Sequence, residues 1–278
     1  MNSKPGHALV NLKNLAVYKM LPNITARPKM IRLMLTDSLW VKLRKSIELT
    51  TAYMTDNLQL CVEGILWRFR TGAPWRDLPP FFGSWKTVYN RFNEWSKAGI
   101  WRKLFDLLRS DVDNEWNFMD GTYIKAHQHS AGGVEAAEDK TIGRSKGGNT
   151  TKVHMLTDAH GNPIEFKVTA GNIHDVTIGP LLVELSEGEN IIGDKGYDAD
   201  YLRDMITAKG STPHIPRKSN SSKPNPDFDK ELYKSRHLVE NLFAKLKHFR
   251  AFATRFDKLT RNFESVVSIG CVVLWLNL

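Results

Sequence analysis

From residue 116 onward the apolar residues of this chain stop recurring at the helical period and begin to alternate. That switch restricts the fold more than any other feature. "WNFMDGTYIKAH" reads as a strand, and "TKVHMLTDAHGNPIEFKVTA" as two strands around a Gly/Asn/Pro turn. A helix follows in "DVTIGPLLVELSEG", with Pro180 near its first turn and Gly188 at its end. "NIIGDKGYD" gives a short buried strand ending at Asp194, "ADYLRDMITAKG" a helix stopping at Gly210, and "TPHIP" a further short strand. "ELYKSRHLVENLFAKLKHFR", residues 231–250, closes the series as an amphipathic helix. Strands and helices in this order bury their apolar faces as a mixed sheet covered by helices, an α/β fold.

The preceding segment, 36–113, is helical throughout. Thr36 or Asp37 is placed to cap a first helix, "LCVEGILWRFRTG" stops at Gly72, and "APWRDLPPFFG" is a Pro-rich loop. "SWKTVYNRFNEWSKAG" runs from a Ser cap to Gly99, and "IWRKLFDLLRSDV" adds another helix. Lys86, Asn90, Arg91 and Asn93 suit either a helix-turn-helix-like DNA reader or the solvated face of a bundle. Trp67, Trp85, Trp95 and Trp101 read as core residues. Residues 1–35 lack periodicity and are expected to be a poorly ordered extension, for which Met30 or Met34 would serve equally as a start. The expected plan is thus 1–35 extension, 36–113 helical DNA-binding module and 114–278 α/β domain with C-terminal helices.

Composition narrows the partners. Lys plus Arg number 39 against 30 Asp plus Glu, a net charge of +9, which points to an anionic partner such as nucleic acid. Cys61 and Cys271 offer neither a disulfide framework nor a metal-ligand spacing, so a reducing cytoplasm is expected. The first twenty residues contain no continuous apolar run of the secretory type, and "VVSIGCVVLWLNL" is too short to span a bilayer. No membrane association is expected.

The helix at 231–250 carries an additional face. At about 3.6 residues per turn, Tyr233, Arg236, Glu240 and Lys247 fall within an arc of roughly 60°. Leu232, Leu238, Val239, Leu242, Phe243, Leu246 and Phe249 take the core-facing arc, and Lys234, His237, Asn241 and Lys245 the solvated one. Taken alone, Arg236 and Glu240 are an ordinary i,i+4 pair on an exposed helix. Asp120 in "MDGT" and Asp194 in "GDKG" alter that reading, because each stands at a strand among small residues where packing alone explains an acid poorly. Each could singly be a turn or cap residue. Three converging carboxylates repel one another unless a divalent cation neutralises them, and hard oxygen donors favour Mg²⁺ or Mn²⁺. Two such ions about 3.5–4 Å apart can activate an attacking oxygen and stabilise a leaving one in phosphoryl transfer.

These pieces resemble a bacterial insertion-sequence transposase of the DDE type, from the branch with a Tyr-x2-Arg-x3-Glu-x6-Lys signature, insertion sequence family five. Tyr233, Arg236, Glu240 and Lys247 stand at that spacing. Asp194, Gly196 and Tyr197 match the Asp-x-Gly-Tyr/Phe motif, and Asp120 in "FMDGTYIKAHQHSAG" matches the first acid. The resemblance runs from about residue 36 to the end and implies a ribonuclease H-like core. It implies a transposase that cleaves the ends of a mobile element and joins the freed 3′-hydroxyl to target DNA. Asp120, Asp194 and Glu240 would be catalytic and hold two Mg²⁺ or Mn²⁺ ions. Arg236 and Lys247 would hold phosphates, with Tyr233 on a base or phosphate. The implied partner is double-stranded DNA, both terminal inverted repeats and target, bound by a homodimer or larger assembly at the bacterial nucleoid. A metal-dependent nuclease on the same core, or an inactive DNA-binding derivative, would share these residues.

Other signals are weaker. "GRSKGGNTTKVH" lacks the P-loop pattern, and its Arg144, Lys146 and Lys152 suit either DNA backbone contact from a flexible Gly-rich stretch or a plain loop. His127 and His129, two apart on an expected strand, would share a face, but a zinc site would need two further ligands. Arg250, Arg255, Lys258 and Arg261 continue the basic run as either a DNA guide or a solvated turn.

Overall fold

The computed structural model describes residues 31–109, 111–130, 141–226 and 228–278. Four helices open it: α1 Asp37–Glu48, α2 Leu58–Thr71, α3 Trp85–Lys97 and α4 Ile100–Leu108. Thr36 caps α1 by accepting from the Leu39 N–H, and α2 stops at Gly72, whose φ of 65° fits the left-handed turn a glycine closes at least cost. Of the expected extension 1–35, residues 1–30 lie outside the described residues. Leu35, by contrast, is buried, and the Met34 and Leu35 N–H groups donate to the buried Glu63 carboxylate at 3.0 and 2.7 Å. Packing therefore begins before Thr36.

Three strands follow as expected, β1 Trp116–Ala126, β3 Gly148–Thr157 and β4 Pro163–Ala170, and the stretch expected as a loop adds a short one, β2 Gly143–Ser145. Next come α5 Asp175–Leu185, β5 Asn190–Gly193, α6 Asp200–Ala208 and β6 Thr212–His214. The C-terminal part holds α7 Lys230–Lys234, α8 His237–Lys247, α9 Arg250–Ala253, β7 Thr254–Arg255 and α10 Thr260–Trp275. The sheet is mixed, in the order β2-β3-β1-β5-β6, with β4 also on β3 and β7 also on β1. β1 runs antiparallel to β3 and parallel to β5, which puts it at the centre of the sheet.

Alternation along these strands sends successive side chains to opposite faces. Phe118, Ile124, Val153 and Ile192 enter a large core that also takes in α1–α4, α8 and α10, so the N-terminal helices and one sheet face share a continuous apolar cluster. Met119, Leu156 and Ile191 enter a smaller core beneath α5 and α6. α10 is buried on nearly every side, as expected of a last core helix, and Trp95 and Trp101 are core residues. Among the described residues, no helix is long and apolar enough to cross a membrane.

Two helices depart from expectation. Pro180 lies in the interior of α5, not its first turn, and Gly188 lies beyond its end. A proline there leaves the Val176 carbonyl without its helical donor, and the Tyr201 hydroxyl donates to that carbonyl at 3.0 Å instead. The segment 231–250 is not one regular helix. Asp229 caps α7 through the Glu231 and Leu232 N–H groups. The N–H groups of Arg236, Leu238 and Val239 then bond three residues back, at 3.1, 2.9 and 3.2 Å, and this tightened turn separates α7 from α8.

Candidate active site

β1 and β5 pair with Met119 opposite Gly193, so Asp120 and Asp194 come next on neighbouring parallel strands. Adjacent strands lie about 4.8 Å apart, which makes these acids close neighbours. β5 ends at this point because Asp194 Oδ1 accepts the Gly196 N–H at 2.8 Å and turns the chain into the tight turn Lys195–Tyr197. Asp120 Oδ1 accepts the Gly121 N–H at 2.7 Å.

The third acid arrives through an arginine. Arg236, in the tightened turn before α8, donates from Nη1 to Asp120 Oδ2 at 2.8 Å and from Nη2 to Glu240 Oε1. Glu240 is 54% exposed and Asp120 only 16%, so the pair joins a rim carboxylate to a largely buried one. The break in the helix leaves the expected stripe facing one place. Tyr233 is half-buried against Phe228, with ring centroids 5.3 Å apart. Burial raises its phenol, Arg236 opposes that rise, and the charges of Asp194 and Asp120 reach it as well. Partial desolvation lowers the Lys247 ammonium, with the Asp120 charge opposing.

Burial pushes the Asp120 carboxyl up to about 6; Arg236 and the Gly121 N–H pull it down, while Asp194 and Asp175 add to the rise. Asp120, Asp194 and Glu240 offer only hard oxygen donors, and a divalent cation would offset both the burial of the Asp120 charge and its repulsion by the neighbouring acids, so these residues fit one. As they stand, no three His, Cys, Asp or Glu among the described residues are grouped tightly enough to enclose an ion. Arg236 links Asp120 and Glu240 and supplies the positive charge between them.

Several expected sites are placed differently. Lys152 is no loop residue. It lies on β3 with 3% of its side chain exposed, its Nζ 2.6 Å from Asp175 Oδ2 and 4.6 Å from the centre of the Tyr123 ring. Strand alternation turns Lys152 and His154 under the start of α5, where an ammonium finds a carboxylate and an aromatic face instead of solvent. Arg144 and Lys146 are exposed, and the stretch around them is a β2–β3 hairpin turning at Gly148, with φ of 90°. β1 ends before His127, so the two histidines do not share a strand face; His127 and His129 lie in a tight turn with rings 4.8 Å apart. Arg255 is fully buried, bonded to the Thr151 hydroxyl at 2.9 Å and the Asp257 carbonyl at 3.0 Å, and so lies in the interior and not on a solvated turn. In the helical segment Lys86 and Asn90 are exposed, whereas Arg91 donates to the Tyr53 carbonyl at 2.6 Å.

Sequence reasoning missed Asp175 and His154. An acid at the first position of a helix, after "GNIH", and a Lys-x-His alternation on a strand under that helix were the available signals.

Residues 116–276 match the family described as "Transposase DDE domain", and residues 35–105 match "Putative transposase of IS4/5 family". The "Putative transposase for insertion sequence element IS6501" of Brucella ovis is 38% identical over 130 residues, covering 46% of this chain and 98% of that protein. Its counterpart for element IS402 of Burkholderia cepacia is 28% identical over 139 residues, 46% of this chain and 63% of that protein. Among solved structures, a piggyBac transposase synaptic complex with hairpin DNA aligns with a TM-score of 0.47 at 10% identity, over 91% of this chain and 68% of that one. A pre-cleavage Mos1 transpososome aligns with a TM-score of 0.26 at 13% identity, over 81% of each chain.

Proposed function

The chain belongs to the family of transposases with a DDE domain, and from that premise we propose that Asp120, Asp194 and Glu240 are its catalytic acids. The observation carrying this reading is the adjacency of Asp120 and Asp194 on parallel strands, with Glu240 tied to Asp120 through one guanidinium. The three carboxylates would hold divalent ions, two Mg²⁺ or Mn²⁺. Bound there, such ions supply charge neutralisation and polarisation of the reacting phosphate and water.

The reaction is phosphoryl transfer on DNA in two steps. Water attacks a phosphodiester at the element's end and frees a 3′-hydroxyl, which then attacks a phosphodiester of the target. Arg236 and Lys247, cations beside the acids, hold the negatively charged backbone in place. Tyr233 presents a half-buried ring and hydroxyl to a base or phosphate. The exposed Arg144 and Lys146 of the β2–β3 hairpin, and Lys86 and Asn90 of α3, extend the contact to flanking duplex. The DNA is double-stranded, comprising terminal inverted repeats and target. Reaction at both ends calls for a homodimer or larger assembly, working at the bacterial nucleoid.

The test is cleavage and strand transfer by purified protein on the element's own termini plus a second duplex, with Mg²⁺. Asp120→Asn and Glu240→Gln are expected to bind DNA yet neither cut nor join. Cutting without joining by the unaltered protein would instead mark a nuclease, and undiminished cutting by both variants would remove the acids from the mechanism.

A further inference from the structure

Beside the catalytic acids lies a buried group that the proposed reaction leaves unused: Lys152 and His154 of β3 with Asp175 at the start of α5. Lys152 Nζ is 2.6 Å from Asp175 Oδ2, and His154 Nδ1 is 3.2 Å from Asp175 Oδ1. His154 Nε2 meets the Thr169 hydroxyl of β4 at 2.9 Å, which fixes the ring from behind. The network thus runs from β4 through β3 to α5.

Its free side rests on the backbone that carries the acids. Gly121 directly follows Asp120, and a Cβ there would stand 2.5 Å from Asp175 Oδ1 and 2.9 Å from Lys152 Cε. Gly196 donates to Asp194, and a Cβ there would stand 3.5 Å from Asp175 Oδ2. Asp175 therefore packs against β1 at Gly121 and lies near the turn after β5 at Gly196, both positions that carry no side chain.

A plain buried ion pair would not need this placement. A third aspartate near Asp120 and Asp194 is electrostatically unfavourable, and a buried pair is commonly replaceable by apolar residues of similar volume at little cost. Asp175 Oδ1, 3.2 Å from His154 Nδ1, is also the atom set against the Gly121 backbone. We propose that Asp175 is a positioning residue: pinned by Lys152 and His154, it braces the Gly121 and Gly196 backbones and so sets the spacing of Asp120 and Asp194 for a divalent cation. This inference rests on the metal-holding role assigned above to those two aspartates.

The experiment is calorimetric titration of the whole chain with Mn²⁺ alone, paired with thermal unfolding in its absence. The proteins are the unaltered chain, Asp120→Asn, Asp175→Asn and the double variant Asp175→Asn/Lys152→Gln. Residues that orient metal ligands typically change affinity by about 10- to 100-fold, and Asp175→Asn is expected to weaken Mn²⁺ by that range. The double variant leaves no unpaired charge, so its unfolding midpoint is expected to recover while its Mn²⁺ affinity does not. A folded Asp175→Asn or double variant that binds Mn²⁺ as the unaltered chain does would overturn the inference. Failure of both variants to fold would do the same, by making the trio a purely structural element. Absence of Mn²⁺ binding in the unaltered chain is a distinct result, which removes the metal-holding reading and this inference together.

Discussion

Arg236 and Asp120, far apart in the sequence, meet at 2.8 Å through Nη1 and Oδ2, and the same guanidinium also bonds Glu240. One cation thus serves two of the three acids assigned to metal binding. Charge-assisted arginine–carboxylate bonds are among the stronger polar contacts in proteins, so a divalent ion entering this site competes with Arg236 for the same oxygens. An arginine displaced in this way would stand beside the acids, where a DNA phosphate would lie. On the proposed reading, Arg236 would be first a counter-ion for the acids and then a ligand for the substrate.

Asp120 itself should cost the metal-free protein stability. Its folded carboxyl is pushed up to about 6, against about 3.9 for an unfolded aspartate. Between those values the folded chain keeps a proton that the unfolded chain has lost. The group's favourable contribution is therefore complete below about pH 4 and gone above about pH 6. Asp120→Asn is expected to raise the melting temperature at pH 7, by about 2–4 °C per kcal/mol recovered in a chain of this size. Mn²⁺ should raise the midpoint of the unaltered chain but not of the variant. Scanning calorimetry at pH 7 with and without Mn²⁺ checks both, and a lowered midpoint in the metal-free variant would contradict the sign.

The acids proposed as catalytic stand out in the sequence because their signals are local. Asp120 and Asp194 sit at strands among glycines, and Glu240 stands four residues from Arg236 on a helix. The mixed sheet was legible because its strands alternate cleanly from residue 116. Lys152 was misread for a reason that is not local. Its exposure depends on which sheet face α5 covers, and nothing in "GNTTKVH" reveals that. Asp175 was missed for the same reason, since an acid at the first position of a helix is ordinary until Gly121 is seen to lie against it. Arg255 reads as one more member of a basic run, yet it is a fully buried side chain bonded to Thr151. The break before α8 comes from tightened hydrogen bonds around Arg236 that no glycine or proline announces.

The β2–β3 hairpin separates exposed cations from a buried one. Arg144→Gln and Lys146→Gln remove charges that meet solvent, whereas Lys152→Gln removes a charge already paired with Asp175. Each of the first two is expected to lower DNA affinity and to reduce the slope of log K against log salt by about 1. Lys152→Gln should leave that slope unchanged while lowering the unfolding midpoint, because it strands Asp175. Fluorescence anisotropy on a labelled duplex at several salt concentrations, with melting curves alongside, separates the two outcomes.

Gly121 should tolerate no side chain. A methyl there would meet Asp175 Oδ1 at 2.5 Å, Lys152 Cε at 2.9 Å and His154 Nδ1 at 3.3 Å, all on groups anchored from other elements. Overpacking of this kind typically costs about 1–3 kcal/mol. Gly121→Ala is expected to lose stability in that range and to lose cleavage more severely, because the strain falls next to Asp120. Gly147→Ala serves as the control, since the nearest atom to its added carbon, Ser145 Oγ, is an ordinary 3.8 Å away. Equal melting temperatures for the two variants would show that the trio yields easily.

Acid lability should arise just beyond the second acid, at Asp198. Arg203 Nη2 and Arg217 Nη1 lie 3.0 and 3.3 Å from its Oδ1, and the Lys218 N–H donates to its Oδ2 at 2.7 Å. Burial raises this carboxyl, but the Lys218 N–H and the two arginines more than offset that and hold it below the ordinary range. The sign is thus opposite to that of Asp120. The contribution is present above about pH 4 and is lost as pH falls through the lower folded value. Arg203 also donates to the Ile215 carbonyl at 2.7 Å, so the cluster ties the segment after β6 to the turn that positions Asp194. Breaking a buried ion pair typically costs about 3–5 kcal/mol. Asp198→Asn should cost less, because Arg217 keeps Asp200 and Arg203 keeps the Ile215 carbonyl. The variant is expected to melt lower than the unaltered chain at pH 7, and the difference is expected to shrink as pH falls through the lowered Asp198 value, where the unaltered chain loses the charge that the variant lacks. A constant difference across that range, measured by circular dichroism melts, would take Asp198 out of the acid transition.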